Sequence, residues 1–403
     1  MKWQSRRTDA STGGRFTHKA GALLFLALVA GGRQAGAQAR ALPFDRGWEL
    51  KGPGIRVASY MGRQALQLRT GTALRPDVRL RDGTIDLQMA ASGRRSFAFV
   101  HFRMQSSAEH EEIYFRPHKA ELPDAVQYAP VWRGESYWQF FHGPGGTAAV
   151  ELPRDTWVPV RIVLSGSRAA VFVGDTVTPD MIVPRLAREA AEGSLGLGAF
   201  LPQGFAGESE WPVSFADVVV RPGYVPFDLS GAPAATTAAP GTIMRWQLSR
   251  AFVTGDDPIA VLPDSIAAGP GWTRTEADPE GRVLVLRHRA RPDPDRRSAV
   301  LGRVVLASPR DTQLPIQLAF SDEVTVFLNG RPLFYGDDRY RPDSPRQDGV
   351  VSFRQATVYL PLRAGRNELV LAVADEFGGW GFGARLAGDA GVTVMAEAPA
   401  TAP

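Results

Sequence analysis

The chain has 403 residues, 44% hydrophobic and 22% charged, and no cysteine. It is long enough for two or three domains with cores of their own, and disulfides and thiolate metal sites are excluded. The formal charge is +4, but residues 1–39 hold six Lys/Arg and one Asp, a surplus of five, so the remainder stands at 4 − 5 = −1 and makes no electrostatic case for nucleic acid.

In chain order, the first element is an export signal, expected over residues 1–39. The basic residues Lys2, Arg6, Arg7, Arg15 and Lys19 precede the apolar run AGALLFLALVA (20–30), and small-x-small cleavage sites follow at 35–39. The run is too short for a stable membrane anchor, and no later stretch is long and apolar enough to span a bilayer. A secreted or periplasmic location is expected.

Between residues 40 and 227, short alternating runs broken by Gly, Pro and Asp predict strands: TIDLQMA, SFAFVHFRM, EEIYFRPH, AVQYAPVW, SYWQFFH, VPVRIVLSG, RAAVFVGD, GSLGLGAF and VSFADVVVRP. The one helical candidate, MIVPRLAREAAE, is weakened by Pro184. Residues 228–242, DLSGAPAATTAAPGT, have no apolar period and read as an Ala/Pro/Thr-rich linker. A second set of strands, RVLVLRHRA, AVLGRVVLAS, PIQLAFS, EVTVFLNG, ATVYLPLR and NELVLAVAD, fills residues 243–390. Residues 391–403 read as a disordered tail. The fold class is all-β: two β-sandwich (jelly-roll) domains joined by the linker.

Alternation assigns faces in the first half. Ala98, Val100, Phe102 and Met104 point inward, as do Ile113 and Phe115. Phe97, Phe99, His101 and Arg103, with Glu112, Tyr114, Arg116 and His118, take the opposite side, and Asp86 is assigned to the same polar surface. Aromatic rings pack on the apolar faces of pyranoses, and Arg, His and Gln hydrogen-bond hydroxyls. The ligand-binding candidates are therefore Arg103, Tyr114, Arg116, His118, Gln127, Trp138 and His142. Arg116 and His118 have an equally weighted structural reading, as anchors of the loop from Lys119 to Gln127. His101 reads as structural and His110, within SSAEHEE, as solvated. Two carboxylates must flank a glycosidic bond for hydrolysis, and Asp86, Glu112 and Asp124 are the candidates, although carboxylates on sheets are more often ion-pair partners.

These runs, with DGTIDLQM, IYFRPHKAELPDAVQYAPVW, YWQFFHGPG and WVPVRIVLSGSRAAVFVGD, resemble a concanavalin A-like lectin/glucanase sandwich of the laminin-G type. They also show some similarity to the 3-keto-disaccharide hydrolase type of domain. The resemblance implies a fold that hosts lectins, glycosidases, lyases and adhesion modules. The glucanase pattern E-x-D-x-x-E is absent, and no catalytic motif of the hydrolase group maps onto this chain.

In the second half, VTVFLNGRPLF and LRAGRNELVLAV resemble a galactose-binding-like jelly roll. Asn329-Gly330 is the favoured pair for a tight hairpin turn. The loop residues Tyr335, Asp337, Asp338, Arg339 and Tyr340 form a secondary ligand candidate. Transition-metal spacing is missing. Calcium, if bound, would need clustered oxygens, for which Asp337, Asp338, Asp343 and Asp348 are the candidates; a solvated acidic loop is the preferred reading, and no cofactor is expected. The leading function is carbohydrate binding through the polar and aromatic sheet face of the first domain. The alternatives are a glycoside hydrolase or lyase on that face, and a structural or adhesion module.

Overall fold

The computed structural model describes residues 38–202, 211–229, 234–344, 347–388 and 390–395. The expected export signal lies outside the described residues except for its last two positions, as does most of the 391–403 tail. Among the described residues no helix is long and apolar enough to cross a membrane.

The first half is a sandwich of two antiparallel sheets. The back sheet runs Met181–Val183, Arg168–Val173, Val158–Ser165, Gly83–Ala91, Val213–Pro222, Arg63–Leu68, Ile55–Tyr60. The front sheet runs Glu135–Ser136, Val126–Trp132, Glu109–Phe115, Phe97–Ser106, Gly193–Phe200, Gly71–Leu80, Glu49–Lys51. Alternation drives the layering. Ala98, Val100, Phe102, Ile113 and Phe115 are fully buried between the sheets, as are Ile85 and Ile162 from the back sheet.

Three expectations change here. SYWQFFH is not a strand: pairing stops after Ser136, and Tyr137–His142 leave the sheet. MIVPRLAREAAE is not a helix: Met181–Val183 form an edge strand that ends at Pro184, where ladder bonding loses its N–H donor. RVLVLRHRA pairs only through Val283–Leu284 before turning into a short 3-10 helix, Val285–Arg287.

The second half is also a sandwich. One sheet runs Thr273–Glu276, Arg245–Leu248, Ser298–Ser308, Gly365–Asp375, Glu323–Leu328, Arg331–Asp337, and the other runs Val283–Leu284, Gly381–Leu386, Thr312–Ser321, Ala356–Leu362. The hairpin between Glu323–Leu328 and Arg331–Asp337 turns on Asn329 and Gly330, both at positive φ (51° and 78°). Thr393–Met395, expected in the disordered tail, instead pair with Ser298–Ser308.

The sandwiches belong to one compact unit spanning residues 37–403, and a single cluster of buried apolar residues runs through both. The segment that left the front sheet makes the joint. Tyr137 is fully buried: its hydroxyl donates to the Trp380 carbonyl (2.9 Å) and accepts from the Leu286 amide (2.8 Å). Gln139 is equally buried and clamps the Phe377–Gly379 turn, donating to the Phe377 carbonyl (2.9 Å) and accepting from the Gly379 amide (2.8 Å). Gly379 is required there, because a Cβ would lie 2.9 Å from the Tyr137 ring. The linker is tied at both ends. Leu229 packs against Phe172, and the Ala238 amide bonds to the Pro279 carbonyl at 2.7 Å.

Candidate functional site

The outward face of the front sheet carries the residues that the alternation singled out, with two exceptions. Arg103 is turned away. The ladder shifts register between Phe102 and Ser106, and Arg103 takes φ 49°, a β-bulge that reverses its side chain. Its guanidinium bonds to the Arg81 and Gly166 carbonyls (2.7 Å each) and pairs with Asp82 at 3.2 Å. Asp86 lies in the back sheet, where it pairs with Arg161 and Arg221. It therefore shares no surface with Glu112: two runs adjacent in sequence sit in different sheets.

Tyr114, Arg116 and Gln127 do come together, but on one another. Arg116 Nη2 donates to the Tyr114 hydroxyl and to Gln127 Oε1 (2.6 Å each), and the Tyr114 hydroxyl donates to the same Oε1 (2.7 Å). Arg116 Nη1 holds the Asp124 carbonyl (2.7 Å), while Gln127 Nε2 donates to the carbonyls of Trp138 and Phe141 (2.7 Å each). All three side chains are at most 5% exposed, and their polar atoms hold loops in place. Asp124 is bonded to Lys119 (2.5 Å) and lies beside Arg116. The Asp86, Glu112 and Asp124 set thus makes no carboxylate pair open to a glycosidic bond.

What the face presents is aromatic. Phe200, 49% exposed, lies 6.0 Å from Phe97, and Phe97 meets His118 edge-on at 5.3 Å. Phe99 stacks on Tyr114 at 5.4 Å and on His101 at 5.6 Å. His118 Nδ1 lies 3.2 Å from the Ser96 carbonyl, and burial together with Arg95 pushes its imidazole down to about 4, so it is neutral at pH 7. Burial likewise lowers His142. The glycines opposite these rings have a steric purpose. A Cβ at Gly198 would lie 2.7 Å from His101 Nε2, and one at Gly196 3.2 Å from His101 Cδ2, so the alternating glycines of GSLGLGAF give the imidazole its space.

The second sandwich extends this surface. Half-buried Trp138 meets Tyr340 edge-on at 5.4 Å, and Tyr340 stacks on the exposed Phe377 at 6.3 Å. Arg95, two residues before Phe97, donates to the Tyr340 hydroxyl at 3.1 Å. The secondary loop thus contributes Tyr340 to the same region as the first-half candidates. Its other members are engaged elsewhere. Tyr335 donates to Glu323 (2.6 Å), Arg339 grips Asp337 with two bonds (3.0 and 2.7 Å), and Asp338 accepts from Gln355. Burial, with Asp348 and Asp322 nearby, pushes Asp338 up to about 6. Both Asp337 oxygens are engaged by Arg339, and one Asp338 oxygen by Gln355.

Sequence reasoning missed Phe200, Phe377 and the position of His110. His110 is not solvated. It lies on the Glu109–Phe115 strand, 5% exposed, two positions before Glu112 and so on the same face. The H-x-E spacing within a strand was the available signal. Glu112, 3% exposed, has one carboxylate oxygen 3.2 Å from His101 Nδ1 and 3.7 Å from His110 Nε2, while the other accepts from the Ser136 hydroxyl at 2.7 Å. Burial alone would raise this carboxyl; the two imidazoles outweigh it and hold the group down to about 2. Burial pushes His101 down.

No protein-family model matches the chain, and no curated protein matches it. Among solved structures, it is similar to a carbohydrate-binding module from Bacillus subtilis at 12% identity, over 44% of this chain and 92% of the module, with a TM-score of 0.30. A beta-glucanase from Bacillus licheniformis matches at 12% identity, over 46% and 97%, with a TM-score of 0.31. A glycosidic hydrolase matches at 14% identity, over 47% and 98%, with a TM-score of 0.34. Each likeness spans less than half of this chain.

Proposed function

We propose that the protein is exported and binds carbohydrate along the aromatic strip of the front sheet, with Phe200, Phe97, Phe99 and His118 supplied by the first sandwich and Tyr340 and Phe377 added by the second. The observation that carries this reading is two groups of rings on this face: Phe200, Phe97 and His118, joined to Phe99 through the buried Tyr114, and Trp138, Tyr340 and Phe377 at the joint, tied to the first group by Arg95, which bonds the Tyr340 hydroxyl. The rings offer apolar contact to pyranose faces, and His118 and His142 offer uncharged polar edges for hydroxyls. The buried, engaged states of Glu112 and Asp124, and the back-sheet position of Asp86, favour binding over hydrolysis. The N-terminal pattern of basic residues, apolar run and small-residue sites supports export, with the secreted or periplasmic space as the site of action.

The test is a panel of soluble polysaccharides presented to the full-length chain in affinity electrophoresis, alongside a reducing-sugar assay. At least one polysaccharide should retard the protein without release of reducing ends. Phe200→Ala, an exposed position, should weaken that retardation about ten-fold, or about 1.4 kcal/mol, with no loss of folding. Retardation unchanged in a Phe97→Ala/Phe200→Ala/Tyr340→Ala variant would refute the strip as the site. Turnover of the bound polysaccharide would shift the reading to a hydrolase.

A further inference from the structure

The strip leaves one polar cluster unused. His101, His110 and Glu112 converge on the same sheet face from adjacent strands, registered so that His101 is paired directly with Glu112. Their nearest imidazole nitrogens and carboxylate oxygen all lie within 4.8 Å of one another. We propose that these three side chains bind a divalent transition-metal ion of the zinc class.

The hydrogen-bond accounting is the main support. All three residues are more than nine-tenths buried, yet both nitrogens of His110 and Nδ1 of His101 have no hydrogen-bond partner. Buried polar groups without partners are rare, and each carries a desolvation cost that something normally offsets. His101 Nδ1 faces the Glu112 oxygen at 3.2 Å but off the line that a hydrogen bond requires. A cation held between the two groups would satisfy both.

The two carboxylate–imidazole distances fit such an ion, while the imidazole nitrogens, within 4.8 Å of each other, would close in on loading. Zinc bonds imidazole nitrogen and carboxylate oxygen at about 2.0–2.2 Å, so two donors on a tetrahedral ion are about 3.3–3.5 Å apart. The two carboxylate–imidazole separations here are 3.2 and 3.7 Å. The donor set of two imidazoles and one carboxylate suits zinc and its neighbours in the first transition row and not calcium, which takes oxygens. Supporting groups are also present. Ser136 bonds the outer carboxylate oxygen and so aims the inner one at the imidazoles (2.7 Å), and Phe99 stacks on His101 with a 7° interplanar angle. Gly196 and Gly198 leave the space that the His101 ring occupies. Outer bonds of this kind orient ligands and tune affinity. Three protein donors leave a fourth tetrahedral position for water.

The experiment titrates cobalt(II), a visible probe for zinc-type sites, into the chelator-treated full-length chain, and then displaces it with zinc. Binding of one ion per chain, with tetrahedral or five-coordinate absorption that zinc abolishes, is the expected result. Glu112→Gln and His110→Asn should each weaken cobalt binding by at least about ten-fold, while His142→Asn and His288→Asn leave it unchanged. X-ray absorption on the zinc-loaded wild-type chain should report two imidazoles and an oxygen donor, which reads the site even if His110→Asn does not fold. Ser136→Ala, which removes no ligand but leaves Glu112 Oε1 without its donor, should lower the metal-free thermal midpoint and also lower cobalt affinity per folded chain several-fold. No uptake by the wild-type chain at about 1 mM zinc, or uptake unaffected by the ligand variants, would overturn the assignment.

Discussion

Trp138 and Tyr340 come from different sandwiches and touch edge to face, with ring centroids 5.4 Å apart at 86°. Neither ring is fully buried, so the contact lies at the surface of the joint, where Arg95 of the first sandwich also bonds the Tyr340 hydroxyl. Tyr340→Ala removes the ring that Trp138, Phe377 and Arg95 all contact. Polysaccharide affinity should fall about ten-fold, and stability by about 1 kcal/mol, the scale of an aromatic pair beyond its area. Isothermal titration and urea melts on one preparation separate the two effects. A loss of stability with affinity unchanged would confine the strip to the first sandwich.

The joint itself depends on the Tyr137 hydroxyl. Tyr137→Phe keeps the ring and deletes two hydrogen bonds, leaving the Leu286 amide and the Trp380 carbonyl short of a partner in the interior. Each such group costs about 1–3 kcal/mol, so unfolding free energy should fall by about 2–6 kcal/mol. Because one apolar cluster spans both sandwiches, the wild-type chain should unfold in a single calorimetric transition. Two well-separated transitions in the wild type would show that the shared interface does not couple them.

Arg116 tests the reading of the polar network as scaffold. Arg116→Ala breaks its bonds to Tyr114, Gln127 and the Asp124 carbonyl, and should cost about 3 kcal/mol or more as a buried charged network is opened. Polysaccharide binding per folded molecule should not change. If affinity fell while the midpoint held, Arg116 would belong to the ligand.

Glu111 sets a dependence on pH. It is 1% exposed and, although the Arg188 amide bonds one oxygen at 2.9 Å, burial pushes its carboxyl up to about 7 from 4.5. A carboxyl raised on folding binds its proton more tightly in the native state. Its contribution is therefore fully present below pH 4.5 and lost as pH rises through 7. The loss amounts to up to about 3 kcal/mol. Urea midpoints measured from pH 5 to pH 8 should decline in the wild type and flatten in Glu111→Gln. Parallel curves for the two proteins would place the titration elsewhere.

How much of this was legible depended on the range of the interaction. The Asn329-Gly330 turn and the inward set Ala98, Val100, Phe102, Ile113 and Phe115 follow from local sterics and a period of two, and both read directly. Arg103 misled because a single bulge residue reverses every later side chain on its strand, and nothing in FRMQSS announces one. Asp86 misled because alternation assigns a face within a sheet and does not say which sheet. The aromatic run SYWQFFH looked like a strand because its hydrophobic content is real, but the surface it buries belongs to the other sandwich. His110 was legible in principle from its spacing to Glu112, yet its acidic neighbours suggested solvent.

Gln139 and Tyr137 give the chain a property that a tethered pair of modules would lack. Their grip is made outside residues 228–242, by side chains on backbone groups of Leu286, Phe377, Gly379 and Trp380, all more than 100 positions away in sequence. Severing the backbone between Ala234 and Ala235 should therefore yield two fragments that co-migrate as one particle, and the halves should reassemble when produced as separate polypeptides. Lengthening the connector should not widen the span of polymer the protein contacts, because the angle between the sandwiches is set by the inserted loop and not by the tether.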